Sequence, residues 1–212
     1  MSQLDTFNRI LSSMNQAMLD DAHWPAASAL IDDACGMTGN ELVIVQGSGD
    51  DARVLFARFY QRGERCRDLE RSYFELYHPW DERLPRLRRL PDDRLVHVTD
   101  LYTERELKTS PVYNDGLRHS GAQNSLNVRM DGPHGLRIVW ALADSNTGDW
   151  QSGQLATVRR LIPHLRQFVN VRQALAAAEA LGSSLTGLLD NSRVGGVHLD
   201  SGGRIIEANG RA

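Results

Sequence analysis

The sequence has few cysteines and no long apolar run. Its two cysteines, Cys35 and Cys66, stand far apart and outside any metal-binding spacing, which is typical of a reduced cytosolic protein. No apolar stretch approaches the ~18 residues that a membrane-spanning helix needs. The N-terminus also lacks the basic-then-apolar order of a signal peptide. We therefore expect a cytoplasmic protein without a spanning helix.

The chain also lacks an excess of charge of either sign. Its 24 Lys and Arg residues nearly balance 27 Asp and Glu residues, which leaves a net charge of −3. No overall field would then attract nucleic acid or an anionic membrane. We expect no membrane partner, and DNA contact only through a C-terminal domain that this sequence does not contain.

Motifs of catalysis and of metal binding are missing as well. The sequence has no glycine-rich phosphate loop, no nucleophile elbow and no HExxH pattern, and its seven histidines are scattered. We therefore predict a protein that is not an enzyme, with no catalytic residue and no metal site. The sequence does not identify a cofactor.

The chain does contain an ordered series of helix and strand patterns. The predicted helices cover 4–19, 24–36, 67–78 and 103–118, and the predicted strands lie within 41–60 as a hairpin, at 95–98, at 125–130 and at 136–143. This order predicts an α/β (α+β) domain, in which a mainly antiparallel five-stranded sheet is flanked by helices. Such a domain encloses a cavity between the sheet and its cross-connections.

A cluster of aromatic residues before one carboxylate is the best candidate for a ligand site. Tyr73 and Tyr77 are four residues apart and share a helix face, and Asp81 follows soon after. Two phenols, the indole of Trp80 and a carboxylate could therefore converge at one cavity wall. The alternative is that the tyrosines are ordinary core residues and that Asp81 caps the following turn.

Trp140 is the fifth predicted ligand-binding residue. It lies in the last predicted strand, where alternation puts Ile138, Trp140 and Leu142 on one side. This side faces either the same cavity or the terminal helix, and core packing is the interpretation we favour.

Five arginines follow the aromatic cluster. They are bracketed by acids and interrupted by prolines, which indicates a solvated surface whose charges compensate each other. The residues are Arg83, Arg86, Arg88, Arg89 and Arg94.

The longest periodic stretch runs from Trp150 to Asp190. Its apolar residues recur with a period near 3.5, which favours pairing with a partner helix and therefore a homodimer. Pro163 should bend the helix or mark its restart, and so separate a sheet-packing part from a dimerising part. The predicted dimerisation residues are Leu161, Phe168, Val171, Leu175 and Leu185.

The last residues, 191–212, indicate the opening of another module. Strands at Val197–Leu199 and Arg204–Glu207 flank a glycine-rich turn, and Asn209 could cap a helix that would follow. About 25 residues cannot bury a core of their own. We therefore expect an incomplete second domain here.

Three pieces of sequence carry a resemblance to a known family. The element order of residues 24–150, with LERSYFELYHPWDERLP and RLIPHLRQ, resembles the GAF/PAS-like sensor fold and the ligand-binding half of LuxR-type transcription regulators. Tyr73, Tyr77 and Asp81 resemble the two aromatics and the acid of acyl-homoserine lactone receptors, although Tyr replaces Trp and Glu82 replaces proline. LLDNSRVGGVHLDSGGRIIEAN resembles the start of a PAS domain.

This resemblance implies the sensory region of a bacterial transcription regulator. A sensor domain (1–150) would bind a small molecule, a coupling helix (151–190) would dimerise, and a PAS-like domain would begin at 191–212. A LuxR-type helix-turn-helix would lie further C-terminal. Two alternatives remain: an interaction-only dimerisation module, and the input region of a signalling enzyme such as a sensor kinase or a cyclase.

Overall fold

Two amphipathic helices open the chain, as predicted. Helix α1 (Gln3–Leu19) buries Ile10 and Met14, which are 0% and 1% exposed. Helix α2 (Trp24–Cys35) has proline in its first turn, where no backbone donor is lost, and ends at Gly36, whose φ of 63° suits a residue without a Cβ.

The computed structural model describes residues 3–47, 52–144, 148–191, 194–200, 202–210 and 212, and its two units are residues 1–170 and 171–212.

A six-stranded sheet lies at the centre of the first unit. Its strands are β1 (Gly39–Gln46), β2 (Arg53–Gln61), β3 (Glu64–Arg65), β4 (Leu95–His97), β5 (Leu126–Asp131) and β6 (Leu136–Ala143). They are arranged in the order β3-β2-β1-β6-β5-β4, and every neighbouring pair is antiparallel. The α+β class is confirmed. The sixth strand, β3, escaped prediction because two residues leave no alternation pattern.

Short helical segments connect the strands, and the predicted helices 67–78 and 103–118 are both divided. The first becomes helix α3 (Arg67–Ser72), a π-helical turn (Tyr73–Tyr77) and a 3-10 turn (His78–Trp80), and helix α4 (Arg83–Arg88) follows. The second becomes helix α5 (Glu104–Thr109), a π-helical turn (Val112–Leu117) and helix α6 (Arg118–Ser120). Proline and the wider π turns account for the breaks.

The two faces of the sheet are covered differently. Even-numbered residues of β1, β5 and β6, except Gln46 at the end of β1, are buried under a helix layer of α1, α2 and the first part of the long helix α7 (Ser152–Asn191). Within this layer the rings of Trp24 and Phe168 lie 4.6 Å apart, and those of Phe7 and His164 lie 5.8 Å apart. Odd-numbered residues of the same strands point to the opposite face.

Helix α7 corrects part of the predicted dimer seam. The helix runs through Pro163 without a restart. Leu161 and Phe168 are 0% and 3% exposed, so they pack inside the first unit and are not available to a partner. A period near 3.5 residues is typical of any helix that buries one face. The period does not show whether that face packs on the protein's own sheet or on a second chain.

The remaining predicted dimerisation residues lie in the second unit. Val171 and Leu175 are half-buried, and the side chain of Leu185 lies outside the described residues. Among the residues that the structure describes, no helix has both the length and the apolar character needed to cross a bilayer.

The second unit also contains a β-hairpin at the predicted place. Strands β7 (Val197–Leu199) and β8 (Ile205–Ala208) pair antiparallel. The side chain of Asn209 hydrogen-bonds within this segment: its Oδ1 accepts from the Gly196 N–H over 2.9 Å, and its Nδ2 donates to the Val194 carbonyl over 2.9 Å. The side-chain amide therefore joins the two ends of the hairpin.

Candidate ligand-binding cleft

The cleft lies on the sheet face opposite the helix layer, and three rows of cross-strand neighbours form its floor. The inner row is Phe59, Glu41, Ala141 and Asn127, the middle row is Ala57, Val43, Val139 and Arg129, and the outer row is Val54, Val45, Arg137 and Asp131. A bulge between Ile44 and Val45 brings Val54 onto the same face as Phe59. The floor is therefore apolar at Ala57, Val43 and Val139, and its charged residues lie at the inner end (Glu41) and toward the outer end (Arg129, Arg137 and Asp131).

The roof of this main cleft comes from the segments between β3 and β4. Tyr73, Phe74, His78, Leu84 and Leu87 line it above the valines of the floor, and the cavity volume is about 100 Å3. A neighbouring cleft of about 240 Å3 lies between the Tyr73–Tyr77 turn and the Val112–Leu117 turn. Glu41, Phe59, Tyr73 and Arg83 line both, so these four residues form the wall between the two clefts.

A hydrogen-bonded cluster of three side chains anchors this wall. Arg83 donates from Nε to Oδ1 of Asp81 over 3.0 Å and from Nη2 to Oδ2 over 2.8 Å. The Tyr73 hydroxyl donates to Oδ2 over 2.7 Å, and Asp81 and Arg83 are 5% and 7% exposed. The bidentate pair fixes the guanidinium plane, while Nη1 makes no bond within the described part of the chain.

Burial and mutual charge set the protonation of this cluster. Burial raises the pKa of Tyr73 well above its usual value, and the Asp81 charge raises it further, so the phenol keeps its proton. Burial alone would raise the pKa of Asp81, but Arg83 and the hydrogen bonds hold it below the usual range. Burial would lower the pKa of Arg83, but Asp81 raises it. The wall is thus an ion pair with one neutral phenol.

Glu41 is the acidic residue of the inner row. Its half-buried carboxyl group makes no hydrogen bond with any residue that the structure describes. Burial raises its pKa to about 7, with Arg83 lowering and Asp81 raising it. Near neutral pH this group can accept or donate a hydrogen bond at the inner end of the cleft.

The structure brings together only some of the predicted site residues. Tyr73 and Asp81 converge as predicted, and Tyr73 lines the main cleft. Tyr77 lines the neighbouring cleft, where its ring packs against Gly116.

The two predicted tryptophans are wrong as cleft residues. Trp80 is 76% exposed, because the 3-10 turn after the Tyr73–Tyr77 segment directs it outward. Trp140 is 0% exposed and pairs laterally with Leu42 and Val128 on the helix-covered face, since alternation puts it opposite Val139 and Ala141.

Sequence reasoning missed Glu41 and Arg83. Arg83 was assigned to a solvated surface, but it is buried on Asp81, which lies only two residues before it. A signal for Glu41 existed, because it is a lone acid on the predicted strand that continues through Val43 and Val45. Its alternation with those valines places it on their face. The described residues contain no group of three His, Cys, Asp or Glu side chains that could hold a metal ion.

Comparison with known proteins identifies the class of fold. No protein-family model and no curated protein sequence matches the chain. The fold is that of ligand-binding domains from LuxR-type regulators, which confirms the predicted resemblance at the level of fold.

Two solved structures support this comparison. The ligand-binding domain of VqsR from Pseudomonas aeruginosa has a TM-score of 0.56 and 14% identity, covering 79% of this chain and 96% of that one. The N-acylhomoserine lactone dependent LuxR family transcription factor CepR2 from Burkholderia cenocepacia has a TM-score of 0.58 and 15% identity, covering 82% and 98%. At such identities the likeness concerns the fold alone.

Proposed function

We propose that this chain is a sensory region that binds a small molecule in the main cleft. The observation that carries the proposal is the polarity of the cleft. Apolar side chains of the middle row lie between its two ends. The carboxyl of Glu41 and Nη1 of Arg83, neither of which makes a hydrogen bond within the described residues, occupy the inner end. Binding sites of this kind combine an apolar lining with a few polar groups that orient the ligand. The LuxR-type fold supports the same function.

The cavity limits the size of the ligand. At about 100 Å3 the cleft lies below the ~300–1,000 Å3 that is usual for small-molecule pockets. The ligand is therefore small and slender, with an apolar body and a head that can bond Glu41 and Arg83. Larger ligands would have to displace the Tyr73 wall and enter the neighbouring cleft.

In this proposal, helix α7 transmits the signal. Its first part buries Leu161 and Phe168 under the sheet, opposite the cleft, and the same helix continues through Val171 and Leu175. A ligand that favours one arrangement of the sheet would shift the population of helix positions in a homodimer. The output would be a DNA-binding domain beyond this sequence, reached through the PAS-like module that begins at residue 191.

Octanamide, a neutral molecule with an apolar chain, provides the test. We expect isothermal titration calorimetry to show saturable binding to one site per chain. Val43→Trp would fill the middle row and abolish binding, whereas Leu55→Trp, at a position 43% exposed, would leave it intact. Circular dichroism would establish that both variants are folded. Equal binding to both variants would contradict the proposal, and so would an unmodified chain that binds neither octanamide nor its charged counterpart, octanoate.

The size of the clefts favours a second candidate function. Both the 100 Å3 and the 240 Å3 cavities lie below the ~300 Å3 at which small-molecule pockets usually begin. An interaction-only module that dimerises through α7 would need no larger cavity. A chain that dimerises but binds no octanamide would support this alternative.

A further inference from the structure

Arginine side chains surround the outer end of the main cleft. Arg129 is 8% exposed and donates from Nη1 to Oδ1 of Asp131 over 2.7 Å, and Arg137 donates to the same oxygen. Arg88, an exposed residue of the roof, forms no hydrogen bond or ion pair with other described residues. Three cations therefore line this end of the cleft, and two of them share the carboxylate of Asp131.

The neighbouring acids remove only part of this excess charge, because Asp92 and Asp93 share one cation, Arg166. Asp92, whose Oδ1 accepts from the Asp131 N–H, also binds Arg166, with 3.0 Å between Oδ2 and Nη2. Asp93 lies 2.6 Å from the same Nη2. Arg129 is largely withdrawn from water, and a guanidinium in such surroundings favours an anionic oxygen as a partner.

The two ends of the cleft differ in sign. Glu41 and Arg137 belong to the inner and outer rows, four residues apart along a strand, which corresponds to ~13 Å. An anionic group would be repelled by ionised Glu41 and attracted by the outer arginines. The ligand therefore has one orientation, with its anion at the outer end and its apolar body over Val43 and Val139.

We propose that the ligand is an amphipathic anion, a short apolar chain that ends in a carboxylate bound by Arg88, Arg129 and Arg137. This inference rests on the proposed function and specifies its ligand class. Val43 and Val139 accommodate the chain, and the outer end, where four arginines meet three aspartates, keeps the positive charge that selects the charged end of the ligand.

Two probes of equal size test the charge. Octanoate and octanamide have the same chain and the same number of non-hydrogen atoms, but only octanoate is charged at pH 7.5. We expect calorimetry with the full chain to give about tenfold tighter binding of octanoate at low salt, the range of a charge-assisted hydrogen bond. Because partly exposed charges are screened, 0.5 M NaCl should reduce this advantage.

Two adjacent exposed arginines provide a matched pair of variants. Arg88 lines the cleft, whereas Arg89, which follows it at the end of α4 and is also exposed, does not. Arg88→Gln should weaken octanoate binding about fivefold and leave octanamide binding unchanged. Arg89→Gln should change neither, although it removes the same charge.

The possible outcomes separate this inference from the proposed function. Equal affinity for the two probes would overturn the anionic ligand and leave small-molecule binding in place. The same loss of octanoate affinity in Arg88→Gln and Arg89→Gln would also overturn it, since only net charge would then matter. If neither probe binds, both the inference and the proposed function are wrong.

Discussion

The phenol of Tyr73 donates a hydrogen bond to Oδ2 of Asp81 over 2.7 Å, and the same carboxylate holds the buried guanidinium of Arg83. The tyrosine comes from a π-helical turn, and the ion pair lies where the chain enters α4. Tertiary structure therefore joins three short segments that have little stability separately. The same contact forms the wall between the two clefts.

The ion pair and the phenol should contribute unequally to stability. Asp81→Ala leaves the buried charge of Arg83 without a partner and should lower the free energy of unfolding by about 3–5 kcal/mol. Tyr73→Phe removes one hydrogen bond and should cost about 1 kcal/mol. Urea denaturation measures both values. A loss in Asp81→Ala no larger than in Tyr73→Phe would mean that Arg83 is solvated.

Glu41 should make stability depend on pH. Burial raises its pKa from 4.5 to about 7, so the folded chain binds this proton more tightly than the unfolded chain. Stability is then greatest below pH ~4.5 and falls as the pH rises toward 7. The full shift would correspond to about 3 kcal/mol, and the partial exposure of the side chain reduces the expected loss to about 1–2 kcal/mol.

Glu41→Gln isolates this contribution. The variant should lose less stability than the unmodified chain between pH 5 and pH 8 in urea denaturation. Burial also raises the pKa of Asp32 to about 6, which gives a slope of the same sign, but that group is present in both proteins. Identical pH profiles would show that the carboxyl of Glu41 is solvated or paired in the folded state.

Much of the fold was predictable because local signals agreed with it. Gly36 ends α2 with positive φ, and the Gly132–Gly135 loop joins β5 to β6, as their sequence chemistry indicates. The two π-helical turns were not predictable. Their hydrogen bonds follow tertiary packing, and no apolar period distinguishes them from α-helix.

The site was less predictable, because the sequence does not show which face of a strand lies toward the cleft. Alternation correctly separates Trp140 from Val139, but only the packed structure shows that the helix layer covers the tryptophan. Arg83 looked like one member of an exposed series, and its burial depends on the carboxylate of Asp81 at close range. Ion pairs that form only in the folded chain determine which side chains make up the wall and the outer end of the cleft.

Two glycines with positive φ should respond differently to a methyl group. A Cβ on Gly63, at φ 81°, would lie 2.8 Å from Cβ of Ala29 and 2.9 Å from the Pro25 carbonyl oxygen. A Cβ on Gly121, at φ 70°, would meet nothing within 4 Å. Gly121→Ala should therefore cost only the backbone strain of about 1–2 kcal/mol.

Gly63→Ala adds a steric term to that strain. Because α2 approaches the turn between β2 and β3 so closely, its backbone must shift, and the variant should lose at least about 1 kcal/mol more than Gly121→Ala. Thermal and urea unfolding of the pair measure the difference. Equal losses would mean that α2 can move away from the turn freely.

Leu161 and Leu175 belong to one apolar period but should have separate roles. Leu161 is 0% exposed, so Leu161→Asp buries a charge in the first unit and should cost about 4 kcal/mol or more, enough to unfold many domains. Leu175 is half-buried. We expect Leu175→Asp to keep the fold and to weaken the proposed homodimer by about 2 kcal/mol, roughly 30-fold in the dissociation constant.

Light scattering across a range of protein concentrations distinguishes these roles, with circular dichroism as the measure of folding. Ala176→Asp is the matched control, because it introduces the same charge at the next, exposed position of α7. It should remain dimeric wherever the unmodified chain is dimeric. If Leu175→Asp and Ala176→Asp have the same mass as the unmodified chain, this face of α7 carries no dimer contact. The coupling mechanism would then be wrong, because it requires two copies joined through this helix.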